Sequence, residues 1–375
     1  MTNRAEAVVN LSAIKANIAT LKAKAGVDLM AVVKADAYGH GLLDVAKAAE
    51  KAGADWLGTA LLEEGIALRN GGITKPIISW LTPIGEDFKT AINLDIDLSV
   101  SSIELLNEII LVGKSINKVP RVHIEIDTGM NRGGFGDDWG SLLPEIVKAV
   151  KANEIKAVGI WSHFARADEP NEVMNKTQLE VFDEKVKQLS DAGVSPEFIH
   201  IANSAAGLSN EAAHKNIVRW GIGLYGLSPD VINMGDSNSL GLKPAMKLFA
   251  KLQLVKSVKA GQSVGYGSTA ITKSDTKLGV VTLGYADGVP RNANNSAGIF
   301  VAGKRAPIIG RVSMDQFVVD LGANSLAKTG DEVIVFGDGS QGEYTIDEWA
   351  KACGTINYEI VTRIGVRVPR IYSRE

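Results

Sequence analysis

The chain has 375 residues, of which 45% are apolar and 22% charged, and its net charge is -3. This length exceeds that of one typical domain, and the composition is ordinary for a folded globular protein. The small net charge and the scattered lysines and arginines argue against nucleic acid or an anionic membrane as the main partner.

The N-terminal segment shows no export signal. Residues 1–6 lack the apolar stretch of a signal peptide, and no run along the chain approaches the roughly 20 apolar residues of a membrane-spanning helix. We therefore predict a cytoplasmic protein that has no membrane partner.

From about residue 11 to about 235, short apolar runs alternate with longer amphipathic runs. Nearly continuous apolar strands, each followed by an amphipathic helix, favour a parallel sheet that is buried on both faces. Eight such strands predict a (β/α)8 barrel of the TIM type at 11–235, and an open doubly wound sheet is the alternative. The predicted strands are 29–33, 56–60, 76–81, 96–100, 121–127, 156–162, 198–202 and 217–220, and the clearest helices are 42–52, 61–70, 101–113, 142–151 and 174–192.

After residue 235 the pattern changes. The polar segment 233–241 predicts a connection, and the β-type runs beyond it predict a mainly β domain at 236–375, which residues 1–10 are expected to join. Cys353 is the single cysteine, so no internal disulfide is possible, and we interpret it as a small buried residue rather than a nucleophile. The predicted strands are 252–258, 278–283, 298–301, 307–309, 317–321 and 332–336, with a helix at 346–352.

In a (β/α)8 barrel the functional side chains gather at the carboxyl ends of the strands. Lys34 ends the first apolar strand, where desolvation lowers the pKa of its amine toward the range in which it attacks a carbonyl. The alternative is a lysine that reaches solvent or pairs with an acid at the barrel mouth. The other polar side chains at strand ends are Asp36, Tyr38, His40, Arg132, His163, Asn203, Ser204 and Arg219.

Small residues after the seventh and eighth strands predict a phosphate site. Ser204 and the backbone amides of residues 221–223 lie where barrels of this type commonly bind phosphate, although these glycines could equally serve a tight turn. A phosphate site that faces Lys34 suggests a phosphorylated aldehyde or ketone. Both a sugar-phosphate aldolase and an enzyme that uses pyridoxal 5'-phosphate (PLP) would satisfy this pattern.

Arg219 helps to separate these two possibilities. If it approaches the pyridine nitrogen of PLP, its positive charge keeps that nitrogen unprotonated. The cofactor is then a weaker electron sink, which suits reversible proton transfer at Cα better than reactions at Cβ. The alternative is an arginine that only holds an acidic neighbour.

These motifs resemble those of bacterial alanine racemases. The run Val-Val-Lys-Ala-Asp-Ala-Tyr-Gly-His-Gly at 32–41 is similar to the PLP-lysine signature of that family. The resemblance implies an isomerase that interconverts L- and D-alanine with PLP and supplies D-alanine for peptidoglycan of the cell wall. Further matches follow in order over nearly the whole chain, at 126–130, 162–165, 203–206, 219–226, 264–269, 284–288, 310–316 and 356–359.

The resemblance also implies a role for each matched residue. Lys34 would hold PLP as a Schiff base and act as acid or base on one face of Cα, and Tyr266 would act on the opposite face, assisted by His163. Arg132 would contact the phenolic oxygen of PLP and the substrate carboxylate. The remaining implied contacts are Arg219 for the pyridine ring, Tyr38, Ser204, Gly221, Ile222 and Tyr358 for the phosphate, and Tyr285 and Met314 for the substrate entrance. No metal site is predicted.

Racemisation needs an acid–base group on each face of Cα. In the family the tyrosine comes from the partner subunit, so the resemblance implies a head-to-tail homodimer with shared active sites.

The sequence departs from the family at two positions. Many members carry a carbamylated lysine seven residues before the arginine that matches Arg132, and here Glu125 takes that position. We expect Glu125 to supply the negative partner of Arg132 without a carbamate. Ser313 replaces a cysteine found in many members, so thiol reagents should have little effect on this site.

Four other functions fit parts of this pattern. A broad-spectrum or serine or lysine racemase shares most of these motifs. A PLP-dependent decarboxylase of similar architecture uses an acidic group at the pyridine nitrogen and a catalytic cysteine, and both Arg219 and the lone Cys353 argue against it. A non-enzymatic PLP carrier lacks the second domain, and an aldolase would not need PLP.

Overall fold

The computed structural model describes residues 3–373, which form two compact units. The first, here called the barrel unit, comprises Ile14–Ala37 and Leu42–Leu242. The second, here called the β unit, comprises residues 3–13, Tyr38–Gly41 and 243–373.

The chain opens with strand β1 (Ala5–Asn10) and helix α1 (Leu11–Ala25). Eight parallel strands then follow in the described part of the barrel unit and pair in the order 8-7-6-5-4-3-2-9. Backbone hydrogen bonds from Asn216 to Ile199 (3.4 Å) and from Arg219 to Ala202 (3.0 Å) join the two ends of this order, so the barrel is nearly closed. These strands are β2 (Asp28–Val32), β3 (Trp56–Leu61), β4 (Ile77–Leu81), β5 (Ile96–Val100), β6 (Arg121–Glu125), β7 (Lys156–Trp161), β8 (Phe198–His200) and β9 (Ile217–Trp220).

Apolar side chains fill the barrel because its strands are covered on both faces. Every residue of β5 and of β9 is buried. Met30, Trp56, Ile78 and Ile217 form one buried cluster, against which Trp80 and Phe198 pack. Burial on both faces explains why these strands appear in the sequence as nearly continuous apolar runs.

The helices of this region follow the strands. They are α2 (Lys34–Gly39), α3 (Leu42–Lys51), α4 (Leu62–Asn70), α5 (Phe88–Asn93), α6 (Ile103–Ser115), α7 (Trp139–Lys151), α8 (Val173–Asp191), α9 (Ser204–Ser209) and α10 (Val231–Met234). Helix α7 starts at Trp139, three residues before the predicted residue 142. The prediction began too late because the first turn contains Gly140 and Ser141, which are weak helix formers. None of the helices within residues 3–373 is both long and apolar enough to cross a membrane.

The β unit is built around one long strand, β10, of 13 residues. It pairs antiparallel with β1, β13 and β17, and β1 also pairs with β18. Two helices, α11 (Ile346–Cys353) and α12 (Asn357–Thr362), complete the described part of this unit. Its strands after β1 are β10 (Met246–Val258), β11 (Ser263–Val264), β12 (Ala270–Ile271), β13 (Thr276–Val281), β14 (Gly298–Val301), β15 (Lys304–Pro307), β16 (Phe317–Asp320), β17 (Glu332–Phe336) and β18 (Arg370–Ser373).

The predicted fold class, a (β/α)8 barrel followed by a mainly β domain, is confirmed. One local prediction was wrong, since strand β15 ends at Pro307, where the sequence suggested a strand that begins. The segment predicted as a connection at 233–241 has no regular structure from residue 235 on, and only its first two residues belong to helix α10. That helix is capped by Asp230 through the amides of Ile232 and Asn233.

Candidate active site

Lys34 lies two residues after the last residue of β2, at the carboxyl end of a buried strand. Burial lowers the pKa of its ammonium from the ordinary 10.5, and the charges of Arg132 and Arg219 lower it further, while Glu64 acts in the opposite direction. Its Nζ lies 5.9 Å from the ring centroid of Trp80. The amine is therefore more easily deprotonated than that of an exposed lysine, as a nucleophile or proton acceptor requires.

The segment after Lys34 forms a left-handed helical turn. Residues 35–38 have φ angles of 53–54°, and Gly39 has 77°. The left-handed helical conformation costs roughly 1–2 kcal/mol for each residue other than glycine. The Ala37 N–H donates to the Val33 carbonyl (2.8 Å), which holds the turn against the end of β2.

Two carboxylates stabilise this strained turn. Glu64 accepts hydrogen bonds from the Ala35 amide (2.7 Å) and, through its other oxygen, from the Leu61 amide (3.1 Å). Asp36 accepts one from the Leu42 amide (2.8 Å) at the start of α3. Glu64 thereby fixes the backbone next to Lys34, a role that its position inside α4 did not suggest.

Glu125 ends β6, and the loop that carries Arg132 folds back over it. The Phe135 amide donates to the Glu125 carbonyl (2.9 Å). A Cβ atom at Gly133 would lie 3.1 Å from Oε1 of Glu125, so the carboxyl group lies against the residue next to Arg132. Burial raises the pKa of Glu125 to about 7, although the charges of Arg132 and Arg219 act to lower it.

Arg219 lies in β9 and is 4% exposed. Its Nη2 donates to the carbonyls of Ser162 (2.8 Å) and Ile201 (3.1 Å), and its Nη1 donates to the carbonyl of His200 (3.0 Å). Among the described residues, none accepts a hydrogen bond from its Nε–H. Burial lowers the pKa of Arg219 to about 9, so the guanidinium is still a cation at neutral pH.

Two imidazoles complete the surroundings of Arg219. Nδ1 of His163 accepts from Nη2 at 3.0 Å, and Nδ1 of His200 accepts from Nη1 at 3.1 Å. Burial and the charge of Arg219 lower the pKa of both imidazoles well below the ordinary 6.5. Each ring is therefore neutral with its proton on Nε2, which leaves the Nε2–H of His163 as a donor.

Ser204 begins α9 and is 3% exposed. Its Oγ accepts hydrogen bonds from the amides of Gly221 (2.9 Å) and Gly223 (3.3 Å). Because two amides occupy the lone pairs of Oγ, the hydroxyl hydrogen is left to donate to another group. The adjoining Ile222 is fully buried at the start of a short 3-10 turn.

The other predicted site residues belong to the β unit. Tyr266 is 69% exposed and lies between Gly265 and Gly267, whose φ angles are 73° and 74°. The rings of Tyr38 and Tyr358 have centroids 6.2 Å apart, and burial raises the pKa of Tyr38.

Tyr285 and Met314, the predicted entrance residues, lie on adjacent segments. The Tyr285 amide donates to the Ser313 carbonyl (3.0 Å), and the Ala286 amide donates to the Met314 carbonyl (2.9 Å). A Cβ atom at Gly284 would lie 2.3 Å from the Met314 carbonyl oxygen, so this contact requires glycine.

The barrel unit thus brings together four predicted residues, Lys34, Arg132, His163 and Arg219. The charges of the lysine and the two arginines act on one another and on the neutral His163 imidazole. Other residues that support them were not predicted from the sequence, and these are Glu64, Trp80, Asp97, His123 and His200. For Asp97, His123 and His200 the available signal was a polar residue inside an apolar strand.

The sequence matches two family models. The model described as "Alanine racemase, N-terminal domain" covers residues 9–229, and "Alanine racemase, C-terminal domain" covers residues 245–372. Two relatives named alanine racemase are similar over the full length. That of Beutenbergia cavernae is 48% identical over 99% of this chain and 98% of its own, and that of Thermobifida fusca is 46% identical over 100% and 99%.

Solved structures of alanine racemases show the same likeness. The enzyme from D-cycloserine-producing Streptomyces lavendulae has a TM-score of 0.98 and 45% identity, with coverage of 100% of this chain and 98% of that one. The biosynthetic enzyme from Pseudomonas aeruginosa has a TM-score of 0.89 and 37% identity, with 100% of both chains covered. The resemblance stated from the motifs is confirmed.

The pKa of Glu125 gives a prediction about stability. Between the ordinary value of 4.5 and the folded value of about 7, the unfolded chain releases this proton before the folded chain does. The free energy of unfolding should therefore fall as the pH rises through this range, by up to about 3 kcal/mol. Glu125→Gln has no such proton, so we expect it to lose less stability than the wild type between pH 5 and pH 8 in urea unfolding of the cofactor-free protein.

The control is Glu184→Gln, which changes an exposed glutamate in α8 and should follow the wild type across this pH range. Equal pH dependence in Glu125→Gln and the wild type would contradict the assignment.

Proposed function

The chain belongs to the alanine racemase family, and on that premise we propose that it interconverts L- and D-alanine with PLP as its cofactor, and supplies D-alanine for peptidoglycan. The observation that carries the proposal is the buried cation Arg219, which presents an unused Nε–H at the carboxyl end of β9. A donor cation of this kind suits an unprotonated pyridine nitrogen.

The residues of the barrel unit fit PLP. Lys34 offers an amine whose pKa is lowered by burial, as a link to an aldehyde requires. Ser204 offers a buried hydroxyl hydrogen in the region after β8 and β9, where barrels commonly bind phosphate. We assign Tyr38, Gly221, Ile222 and Tyr358 to the same phosphate group.

When bound, PLP withdraws electrons from the substrate and makes its α-proton acidic. Lys34 then holds or returns the proton at Nζ on one face of Cα, and Tyr266 does so at Oη on the other face. In this proposal His163, which is neutral and carries its proton on Nε2, supplies the hydrogen-bond donor that the Tyr266 oxygen needs once its proton has left. This two-sided arrangement is what inversion at Cα requires.

Arg132 binds the substrate carboxylate in this proposal, together with the amide of Met314, while Tyr285 and Met314 limit the width of the entrance. Glu125, whose pKa of about 7 leaves it partly ionised at neutral pH, orients the Arg132 guanidinium in its ionised form. Because this charge comes from the glutamate itself, the site needs no carbamate. Two shared sites in a head-to-tail homodimer follow if Tyr266 is supplied by the partner subunit.

A PLP-dependent decarboxylase fits the side chains less well. Such an enzyme needs an acidic group at the pyridine nitrogen and a reactive cysteine. Here Arg219 takes the first position, and Cys353 is 4% exposed with a pKa that burial raises to about 11. The incubations with four different amino acids in the first test distinguish a racemase of broader substrate range.

The first test captures the cofactor and the product together. Purified protein should absorb visible light, and borohydride should bleach the band and attach the cofactor to the peptide that contains Lys34. Chiral analysis of L-alanine, L-serine, L-lysine and L-arginine incubations should show turnover fastest for alanine. Label on another lysine, or release of carbon dioxide without the D isomer, would contradict the proposal.

The second test separates the two faces of Cα. Tyr266→Phe removes the proposed acid–base group on one face, so turnover of L-alanine should fall by about 10²–10⁴-fold while PLP stays bound. Tyr344→Phe makes the same chemical change at another tyrosine of the β unit and should keep near-normal turnover. Full activity in Tyr266→Phe would refute the two-base assignment.

The third test concerns the shared site. Lys34→Ala and Tyr266→Phe proteins, each nearly inactive, are mixed under conditions that exchange subunits. A mixed dimer contains one site with both Lys34 and Tyr266, so partial recovery of activity is expected. No recovery despite proven exchange would place both residues of a site in one chain.

A further inference from the structure

A continuous line of hydrogen bonds crosses the inside of the barrel from Arg219 to Asp97. Nη1 of Arg219 lies 3.1 Å from Nδ1 of His200, and Nε2 of His200 lies 2.9 Å from Nδ1 of His123. Nε2 of His123 then lies 3.1 Å from Oδ2 of Asp97. Asp97 also accepts hydrogen bonds from Nε (2.7 Å) and Nη2 (3.0 Å) of Arg121.

The line joins residues of four strands of the barrel, crosses β7 between β6 and β8, and is shielded from solvent. Asp97 lies in β5, His123 in β6, His200 in β8 and Arg219 in β9. Their exposed fractions are 2%, 0%, 0% and 4%. Buried polar side chains are retained only where each finds a partner, so these four depend on one another.

The groups at the two ends of the line, Arg219 and Asp97, determine which atom donates and which accepts in each of its hydrogen bonds. Arg219 has only donors, so Nδ1 of His200 must accept and the proton of a neutral His200 is on Nε2. That proton points to Nδ1 of His123, which must therefore also accept. The proton of His123 is then on Nε2 and points to Asp97, whose carboxylate only accepts.

We propose that Asp97 and His123 are positioning residues, which fix the tautomer of His200 and thereby hold the Arg219 guanidinium in the orientation that faces the cofactor. This inference rests on the proposed contact between Arg219 and PLP. Neither Asp97 nor His123 is in the set of residues that bind the cofactor or the substrate.

The charges along the line support this direction. Burial alone would raise the pKa of Asp97, but the hydrogen bonds from His123 and Arg121, together with the charge of Arg121, outweigh it and lower that pKa. Asp97 is therefore an anion at one end, and Arg219 is a cation at the other. If the two imidazoles reversed their tautomers, an N–H of His200 would face an N–H of Arg219, and this hydrogen bond would be lost.

The rings are also held in place by packing. The His123 ring stacks on Phe198 with an interplanar angle of 9°, and the His200 ring stacks on Trp161 with an angle of 6°. A Cβ atom at Gly159 would lie 2.0 Å from Nδ1 of His123, so only glycine leaves room for this ring. The imidazoles are therefore fixed in position, and the choice of tautomer is left to their hydrogen-bond partners.

The test is Asp97→Asn in the loaded enzyme. A carboxamide at position 97 offers an N–H where the carboxylate only accepted, so it permits the reversed tautomers. The chain has five histidines, which keeps an ¹⁵N spectrum of the imidazoles simple. Since Arg219 still favours the wild-type direction, we expect only part of the His200 population to carry its proton on Nδ1. We also expect the absorption band of the bound cofactor and its pH dependence to change, and kcat to fall by about 10- to 100-fold with a smaller change in KM.

The matched control is Arg121→Gln. This variant breaks the ion pair of the same carboxylate but leaves the acceptor for His123, and the Arg121 side chain is 36% exposed. It should lower stability yet keep the wild-type tautomers, cofactor absorption and kcat. If Asp97→Asn does not fold, His123→Phe keeps a ring against Phe198 but removes the acceptor of the His200 N–H, and should give the same spectral and kinetic changes.

Three outcomes would overturn the inference. One is Asp97→Asn with wild-type tautomers. Another is an equal loss of kcat in Asp97→Asn and Arg121→Gln, which would mark a merely structural role. The third outcome compares Asp97→Asn with Arg219→Lys. If Arg219→Lys alters cofactor absorption and kcat while Asp97→Asn alters neither, this inference is wrong but the proposed contact between Arg219 and PLP stands. If Arg219→Lys alters neither quantity, both the proposed contact and this inference are wrong.

Discussion

The buried positive charge of Arg219 is the constraint on which the rest of the site depends. A guanidinium in the barrel interior is stable only if its donors are matched, because an unpaired buried charge carries a large desolvation penalty. Three carbonyls and two imidazoles supply that match. The carbonyls come from residues 162, 200 and 201, at the ends of β7 and β8. The strands that complete the barrel therefore also hold the charge in place.

The same charge sets the protonation of its neighbours. It lowers the pKa of Lys34, His163 and His200, and burial acts in the same direction on all three. Two neutral imidazoles and a lysine that releases its proton readily are what an acid–base site needs at neutral pH. Glu125 has the opposite influence on Arg219, because its negative charge helps to keep the guanidinium protonated. Burial meanwhile raises the pKa of Glu125 itself. The site therefore combines groups whose protonation states are fixed with one carboxyl group that titrates near neutrality.

The strands, and the position of Lys34 at the end of one of them, could be predicted because both depend on local pattern. A buried parallel strand is a continuous apolar run, and a lysine at its end is conspicuous. Asp97, His123 and His200 lie inside such runs and gain their meaning only when β5, β6 and β8 come together, since the two histidines are 77 positions apart. The left-handed turn at residues 35–38 was also not predictable, because none of these four residues is a glycine. The hydrogen bond that restrains its backbone comes from Glu64, 29 positions away from Ala35.

Glu125 lies where the loop after β6 folds back onto the strand end. A Cβ atom at Gly133 would lie 3.1 Å from Oε1 of Glu125, and one at Gly134 would lie 2.9 Å from its Cγ. Gly134 also has a φ of 98°, in the left-handed region that favours glycine. The two glycines therefore let the loop that carries Arg132 lie directly against a carboxyl group whose pKa burial raises to about 7.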